Sequence, residues 1–418
     1  MNNEKLGGWV IAGLMLAGLC YAASYSLPYV KGIFYGPMME ATGASNTQLG
    51  LIMSIYGFGN VVFNLIGGYF ADKFNYRKCI IYSLLGTTLL SAWLALNPSI
   101  ITMYIVWGLF GLTTFFVFNP AIFKMPRMIV PDALIGKSVG MFAFGQTISF
   151  MIINFVALYV YDGSMASNTA ADAFGHTVWV YAAFTLLAAV GCVIIFNKIQ
   201  DVNQEGDEEK FSFDQIKFVI KQPGLWMMTI CGFCMYLTTQ TASYFVPYFN
   251  SVFGVAVTFS GVLGVINMYG GRIFSPIIGA IATKTQFVSR IVAIGAVILI
   301  TLFVAVLMFA MNMPFYLLVG VTLGTGIFST LFTNICLAMP PEAQIPRNAT
   351  GTAMGIYAAI AYSPDLFIHT YIGWALDTYG DTGYSIMMVT TIAILAIGGI
   401  VAWKLYQKCR AAAALVTA

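Results

Sequence analysis

Four ionisable side chains stand inside long apolar stretches of this sequence, and each could do chemistry there. Arg272 lies in Tyr269-Gly-Gly-Arg-Ile-Phe-Ser-Pro276, eleven residues before Thr283. At about 1.5 Å per residue that is roughly 16 Å in from a helix end, near the middle of a bilayer. A charge at that depth costs about 2.5 to 3.5 kcal/mol on insertion scales. It needs an acid beside it or an anion bound to it. The planar fork of an arginine suits a carboxylate, sulfonate or phosphate. Asp365 lies eighteen residues from Arg347, at similar depth, and Pro364 before it frees a backbone carbonyl. His369 follows one turn later on the same face. A carboxyl and an imidazole, which titrates near neutral pH, are a natural proton-coupling pair. Lys31 comes after Pro28, and Tyr21, Ser24, Pro28, Lys31 and Tyr35 follow at spacings of 3, 4, 3 and 4. One continuous helix would put all five on one face, polar and aromatic where lipid would favour leucine. Enzyme chemistry is not expected. There is no nucleophile–base set and no phosphate loop, and the two histidines lie on different helices. Cys231-Gly-Phe-Cys234 has no second pair and reads as small packing residues. No metal or other cofactor is implied.

The elements that carry these residues follow from composition. Of 418 residues, 59% are hydrophobic and only 8% charged, against about 25% charged in an ordinary soluble domain. Apolar runs of about 20 residues, each long enough to cross a bilayer, recur throughout. This excludes a soluble enzyme, a nucleic-acid binder and a disulfide scaffold. Twelve spans are predicted, at 9–34, 47–71, 79–96, 101–124, 137–160, 177–197, 224–250, 257–282, 289–310, 314–338, 348–375 and 384–406. The fold class is an all-α membrane protein. With the N-terminus inside, 17 of the 19 lysines and arginines fall on the inner side, among them Lys124 and Arg127. The other two, Lys31 and Arg272, fall within spans. This is the positive-inside bias, and it puts both termini in the cytoplasm. The first span reads as a retained helix rather than a signal peptide. The longest polar stretch, 198–222, separates six spans from six. It ends in a short amphipathic segment suited to the inner membrane surface. The expected organisation is a six-helix bundle over 1–197, a linker over 198–222 and a second bundle over 223–418.

The halves echo one another. Gly68-Tyr-Phe-Ala-Asp72-Lys73 ends the second span, and Gly279-Ala-Ile-Ala-Thr283-Lys284 ends the eighth, 211 residues later. Gly136-x-x-x-Gly140 opens the fifth, and Gly351-x-x-x-Gly355 opens the eleventh, 215 residues later. Shared offsets at two places point to a duplicated unit. With these features the chain resembles the major facilitator superfamily. The resemblance covers nearly the whole chain. It is sharpest in Gly68-x-x-x-Asp72-Lys73-x-Asn75-x-Arg77-Lys78, where the family pattern is G-x-x-x-D-[RK]-x-G-x-[RK]-[RK]. Asn75 replaces the second glycine and is expected to supply a positive φ there. The second-half copy has Thr283 at the acidic position. The resemblance implies two pseudo-symmetric bundles and a gating role for Gly68, Asp72, Lys73, Arg77 and Lys78, with Asp72 holding the cytoplasmic side shut.

It also implies that spans one, four, seven and ten line the path. These carry Lys31, Asn119, Tyr236, Gln240, Tyr244, Thr330 and Asn334, whose spread favours a polar central site. Asn60, Asn64, Gln146 and Asn267 are further polar candidates on other spans. Spans eight and eleven would lie in one half, so Arg272 and Asp365 could meet. In character the chain resembles bacterial organic-anion, organic-phosphate and sugar-acid carriers, which use a cation on the first span. Two cations against one acid favour an anionic substrate. The expectation is a monomeric secondary transporter in the cytoplasmic membrane for a small organic anion. It would bind substrate through Lys31, Arg272, Asn119, Gln240, Tyr244 and Asn334. Protons would be coupled through Asp365 and His369, or two anions would exchange at one site. A multidrug or cation exporter is the alternative. It would need an acid in the first-half spans, which carry none away from their ends. A non-transporting sensor of the same fold is the other alternative.

Overall fold

Prolines decide where the long helices of this chain break. The computed structural model describes residues 6–202, 213–274, 285, 287–346 and 349–417, and within the second span not the side chains of Leu65, Gly68, Tyr69, Ala71 and Asp72. Every regular element among the described residues is helical. Among the described residues, eight helices are long and apolar enough to cross a membrane. The first predicted span is two helices, Gly8–Ser26 and Tyr35–Thr42, joined by a 3-10 turn at Val30–Gly32. The fourth runs Ile100–Gly111, widens into a π turn at Leu112–Phe116 and resumes at Phe118–Met128. The seventh splits into Pro223–Ala242 and Phe245–Phe253. The eleventh splits into Thr350–Ala361, a 3-10 turn at Ser363–Leu366, and Ile368–Tyr379.

Each break adjoins a proline: Pro28 and Pro37, Pro120, Pro247 and Pro364. Proline removes a donor and crowds the carbonyl four residues back. For Pro120 that residue is Phe116, the last of the π turn; for Pro247 it is Ser243, in the gap of the seventh span. Four spans predicted as single helices are therefore discontinuous. Such irregular backbone is tolerated at membrane depth where it is buried in protein or lines a cavity.

The other spans are held by ordinary signals. Ser45 opens helix Asn46–Lys73 with a capping box: its hydroxyl accepts from Gln48 N at 3.2 Å and Gln48 Oε1 accepts from Ser45 N at 2.8 Å. Glu342 caps the ninth span, Val288–Phe309, accepting from Ser289 N at 3.1 Å and also from Val288 N and the Ser289 hydroxyl.

Chain contacts divide the protein into two units. One comprises Met1–Glu209 with Val255–Val265, the other Lys210–Gly254 with Ile266–Ala418. In the first, Gly8–Ser26 packs on the fifth and sixth spans, Ile135–Met165 and Ala170–Phe196. In the second, Pro223–Ala242 packs on the tenth (Phe315–Ile335), eleventh and twelfth (Thr382–Thr417) spans. The repeat is visible in backbone geometry. The second pieces of the first and seventh spans end on left-handed glycines, Gly43 at φ 63° and Gly254 at φ 61°. These glycines are 211 residues apart, the offset of the Gly68 and Gly279 segments. Residue types with a Cβ rarely take this conformation.

Candidate transport site

The break in the eleventh span puts a carboxyl group where a continuous helix would not. Asp365 sits on the 3-10 turn and is 1% exposed. Tyr236 of the seventh span donates its hydroxyl to Asp365 Oδ2 at 2.7 Å, and the Gln240 amide donates to Oδ1. His369, 2% exposed, opens the next helix with Nε2 at 3.7 Å from Oδ1. Gln240 Nε2 is 3.4 Å from His369 Nε2. Tyr244 stacks on the imidazole at 5.8 Å between centroids and donates its hydroxyl to the His369 carbonyl at 3.1 Å. Tyr236 and Gln240 are four residues apart on helix Pro223–Ala242 and so share one face, while Tyr244 lies in the gap before Phe245 and still meets His369, so the expectation of one continuous face through all three is corrected. The Tyr362 ring packs edge-on against Tyr236 at 4.8 Å.

This arrangement can hold a carboxyl group in either protonation state. A tyrosine hydroxyl donates or accepts. A glutamine side chain offers its NH₂ to a carboxylate and, turned over, its carbonyl to a carboxylic acid. An arginine has only donors and could serve only the ionised form. Tyr236 and Gln240 are donors of the reversible kind. Arg272, near the end of helix Val257–Ile273, is half-buried with its guanidinium 5.7 Å from the Tyr269 ring centre. Asn334 lies on the tenth span with its side chain exposed. The sequence placed Tyr236 on the face of Gln240 and Tyr244 but gave it no role beside Asp365. A neutral hydroxyl among 23 tyrosines carries no signal of its own.

Lys31 is 3% exposed, with Nζ 5.9 Å from the Tyr35 ring centre. It lies on the turn between the two pieces of the first span. The helical register through Tyr21 and Ser24 therefore ends at Ser26 and does not reach it, which corrects the expectation of one continuous face. The break is itself pinned: Trp107 Nε1 of the fourth span donates to the Pro28 carbonyl at 3.0 Å. Asn119 donates to Asn64 Oδ1 at 2.9 Å, and Asn64 to Asn60 Oδ1 at 2.5 Å. Asn119 thus ties the fourth span to the second through a ladder of amides.

Between the second and third spans, Asn75 has φ −61°, not a positive value. Its side chain instead caps helix Tyr76–Leu96, accepting from Arg77 N at 3.0 Å and Lys78 N at 3.2 Å. Asparagine suits this place as a helix N-cap rather than as a substitute for a left-handed glycine. Arg77 reaches the end of the sixth span. It donates to the Ile199 carbonyl at 2.9 Å, to the Phe196 carbonyl, and to Asp201 Oδ1 at 2.5 Å, which also accepts from the Tyr76 hydroxyl at 2.5 Å. All of these partners belong to the first unit. Lys73 and Lys78 are exposed. Gly68 and Asp72 lie on helix Asn46–Lys73 with their side chains outside the described set, and Thr283, Lys284 and Arg347 lie outside the described residues.

Helices broken at their prolines, a buried carboxyl–imidazole pair and a repeated half mark a class of multi-span membrane transporter. The sequence model of the Major Facilitator Superfamily matches residues 14–368. The chain belongs to that superfamily: it is a multi-pass membrane transporter and not an enzyme. It is 28% identical to the inner membrane protein YihN of Escherichia coli over 411 residues, covering 96% of each chain. It is 25% identical to the inner membrane protein YqcE of the same organism, covering 99% and 98%. Among solved structures it is similar to a bacterial homolog of the human lysosomal transporter Spinster in an inward-facing, unoccupied conformation. That match has a TM-score of 0.76 at 12% identity, covering 97% of this chain and 99% of the other. The nucleoside transporter NupG gives 0.71 at 13% identity, covering 95% and 98%.

Proposed function

We propose that the chain is a secondary active transporter of a small organic anion, a carboxylate, sulfonate, sugar acid or phosphate ester. It works by alternating access in the cytoplasmic membrane, coupled to protons through Asp365 and His369. The two bundles are 1–197 and 223–418, joined by the linker 198–222, with both termini in the cytoplasm; the monomer is the transporting unit. Arg272 and Lys31 supply the positive charge that an anion requires, with Gln240, Tyr244, Asn119 and Asn334 as polar contacts on the lining spans. The observation that carries proton coupling is the company Asp365 keeps. Tyr236 and Gln240, which donate to it, can each turn into an acceptor, so a proton can arrive at and leave their side of the carboxyl without stranding either group. This supports symport over exchange. The likeness to NupG is at the level of the fold and brings no nucleoside with it. The gating reading of Gly68, Asp72, Lys73, Arg77 and Lys78 rests on the superfamily motif.

The test is a thermal-shift panel on purified protein with gluconate, ethanesulfonate, glycerol 3-phosphate, a neutral sugar and an organic cation. A ligand at a hundredfold excess over its Kd stabilises the folded state by about 2.7 kcal/mol. Anions alone are expected to shift the wild type, and Arg272→Lys to weaken anion binding about tenfold by losing the fork, which roughly halves that stabilisation. In liposomes, uptake of the active anion should rise as the outside is acidified. Asp365→Asn should lose that dependence while keeping exchange of labelled for unlabelled substrate. Stabilisation by cations or neutral sugars and not by anions would sink the reading.

A further inference from the structure

The gap in the seventh span leaves backbone carbonyls at the end of Pro223–Ala242 without helical partners. One of them is taken from another span. Asn267 of the eighth span, 7% exposed, donates its side-chain amide to the Ala242 carbonyl at 3.1 Å. The carboxamide reaches that point because residue 326 of the tenth span is glycine: a Cβ there would overlap the Asn267 side chain. Asn267 Oδ1 has no hydrogen-bond partner among the described residues, so the amide N–H is the group that bonds.

What this bond holds is the frame of the proposed site. Ala242 lies two residues beyond Gln240 and two before Tyr244, and Ser243 Oγ closes the same turn by donating to the Gln240 carbonyl at 2.7 Å. Gln240 bonds Asp365, and Tyr244 bonds and stacks on His369. On the other side, Arg272 is five residues along the same helix as Asn267. The first unit pins the break of its own first span in the same manner, through the Trp107 bond to the Pro28 carbonyl.

We propose that Asn267 is a positioning residue: it locks the broken seventh span to the helix that carries Arg272, so that a shift of that helix is passed to Gln240, Tyr244 and the Asp365–His369 pair. This rests on Arg272 and Asp365 serving the same transport cycle.

The experiment has one arm with ligand and one without. In the first, purified wild type, Asn267→Ala, Gly326→Ala and Thr229→Ala are titrated with gluconate, ethanesulfonate and glycerol 3-phosphate. Thr229 is the control, a buried hydroxyl on the seventh span, about three turns from Gln240, that is also unbonded among the described residues. Asn267→Ala and Gly326→Ala are each expected to weaken anion binding about tenfold, and the pair together no further, as for groups acting through one bond. Thr229→Ala should stay within about twofold of wild type. Asn267→Ala that loses stability yet binds as wild type would make Asn267 a packing residue and overturn the proposal. The second arm measures thermal midpoints of Asn267→Ala, Gln240→Ala and the double variant. Their side chains do not bond each other, so a double shift smaller than the two single shifts combined supports transmission through the helix break, and additive shifts overturn it. If no anion binds the wild type, the substrate reading fails while the second arm still decides this one.

Discussion

Tyr236 is the residue on which the proposed chemistry turns, and the sequence reading placed it only among the polar groups of the lining spans, with no part beside Asp365. Its hydroxyl lies 2.7 Å from Asp365 Oδ2. Phenylalanine would keep the ring against Tyr362 and remove that bond. Loss of a hydrogen bond to a buried carboxyl group in a membrane protein costs about 1 to 2 kcal/mol. Tyr236→Phe is therefore expected to lower the thermal midpoint modestly. It should also change the outside pH at which uptake is half-maximal, measured in liposomes with a fixed inside pH. An unchanged pH profile would place the proton elsewhere. Asp365 and His369 were legible because ionisable groups in apolar runs are rare, and their spacing of four residues put them together. Tyr236 and Tyr362 were not, since neutral aromatics are common in this chain. Asn75 shows a different limit. The motif located the turn correctly, but residue type alone did not separate a left-handed substitute from a helix cap.

At the scale of the helix, hydropathy and charge located the spans, and the prolines that mark the breaks were in plain view. Sequence did not say which prolines kink a helix and which interrupt it, because neighbouring helices and side chains decide whether the freed carbonyls are satisfied. The Trp107 bond to Pro28 and the Asn267 bond to Ala242 are such answers, and both join residues far apart in the chain. Pro364 offers a direct test. With alanine there, helix Thr350–Ala361 has a donor to continue with, and Asp365 would turn with the restored α register. Pro364→Ala is expected to leave the thermal midpoint at or above wild type, since it relieves a helix interruption, and to cut anion uptake more than tenfold. A variant that transports normally would show that the 3-10 turn is not what positions Asp365.

Across the whole molecule, the repeat relates two halves that part company in both backbone and chemistry: the fifth span is one helix, Ile135–Met165, where the eleventh is broken at Ser363–Leu366. The 215-residue offset that relates the glycines of the fifth and eleventh spans carries His369 onto Asn154. Asn154 is fully buried within the first unit. It accepts from the Tyr181 hydroxyl at 2.8 Å and donates to the Phe150 carbonyl at 2.8 Å and to Ser26 Oγ at 3.4 Å. Each partner is neutral, so this cluster is hydrogen-bonded packing and has no proton to exchange in the working range. Duplication followed by divergence thus leaves one unit with a fixed amide cluster and the other with a carboxyl–imidazole pair at the corresponding level. Two substitutions separate these roles. Asn154→Ala removes the bonds to Tyr181 and the Phe150 carbonyl from a buried cluster, at a cost of about 1 to 3 kcal/mol in stability, and is expected to leave the pH profile of uptake unchanged in whatever protein folds. His369→Asn imports the first-half residue into the second half. It is expected to keep the fold, because asparagine can still bond the neighbours of a buried imidazole, and to flatten the response of uptake to outside pH. If Asn154→Ala moves the pH profile as much as His369→Asn, coupling is spread over both halves and cannot be assigned to the second alone.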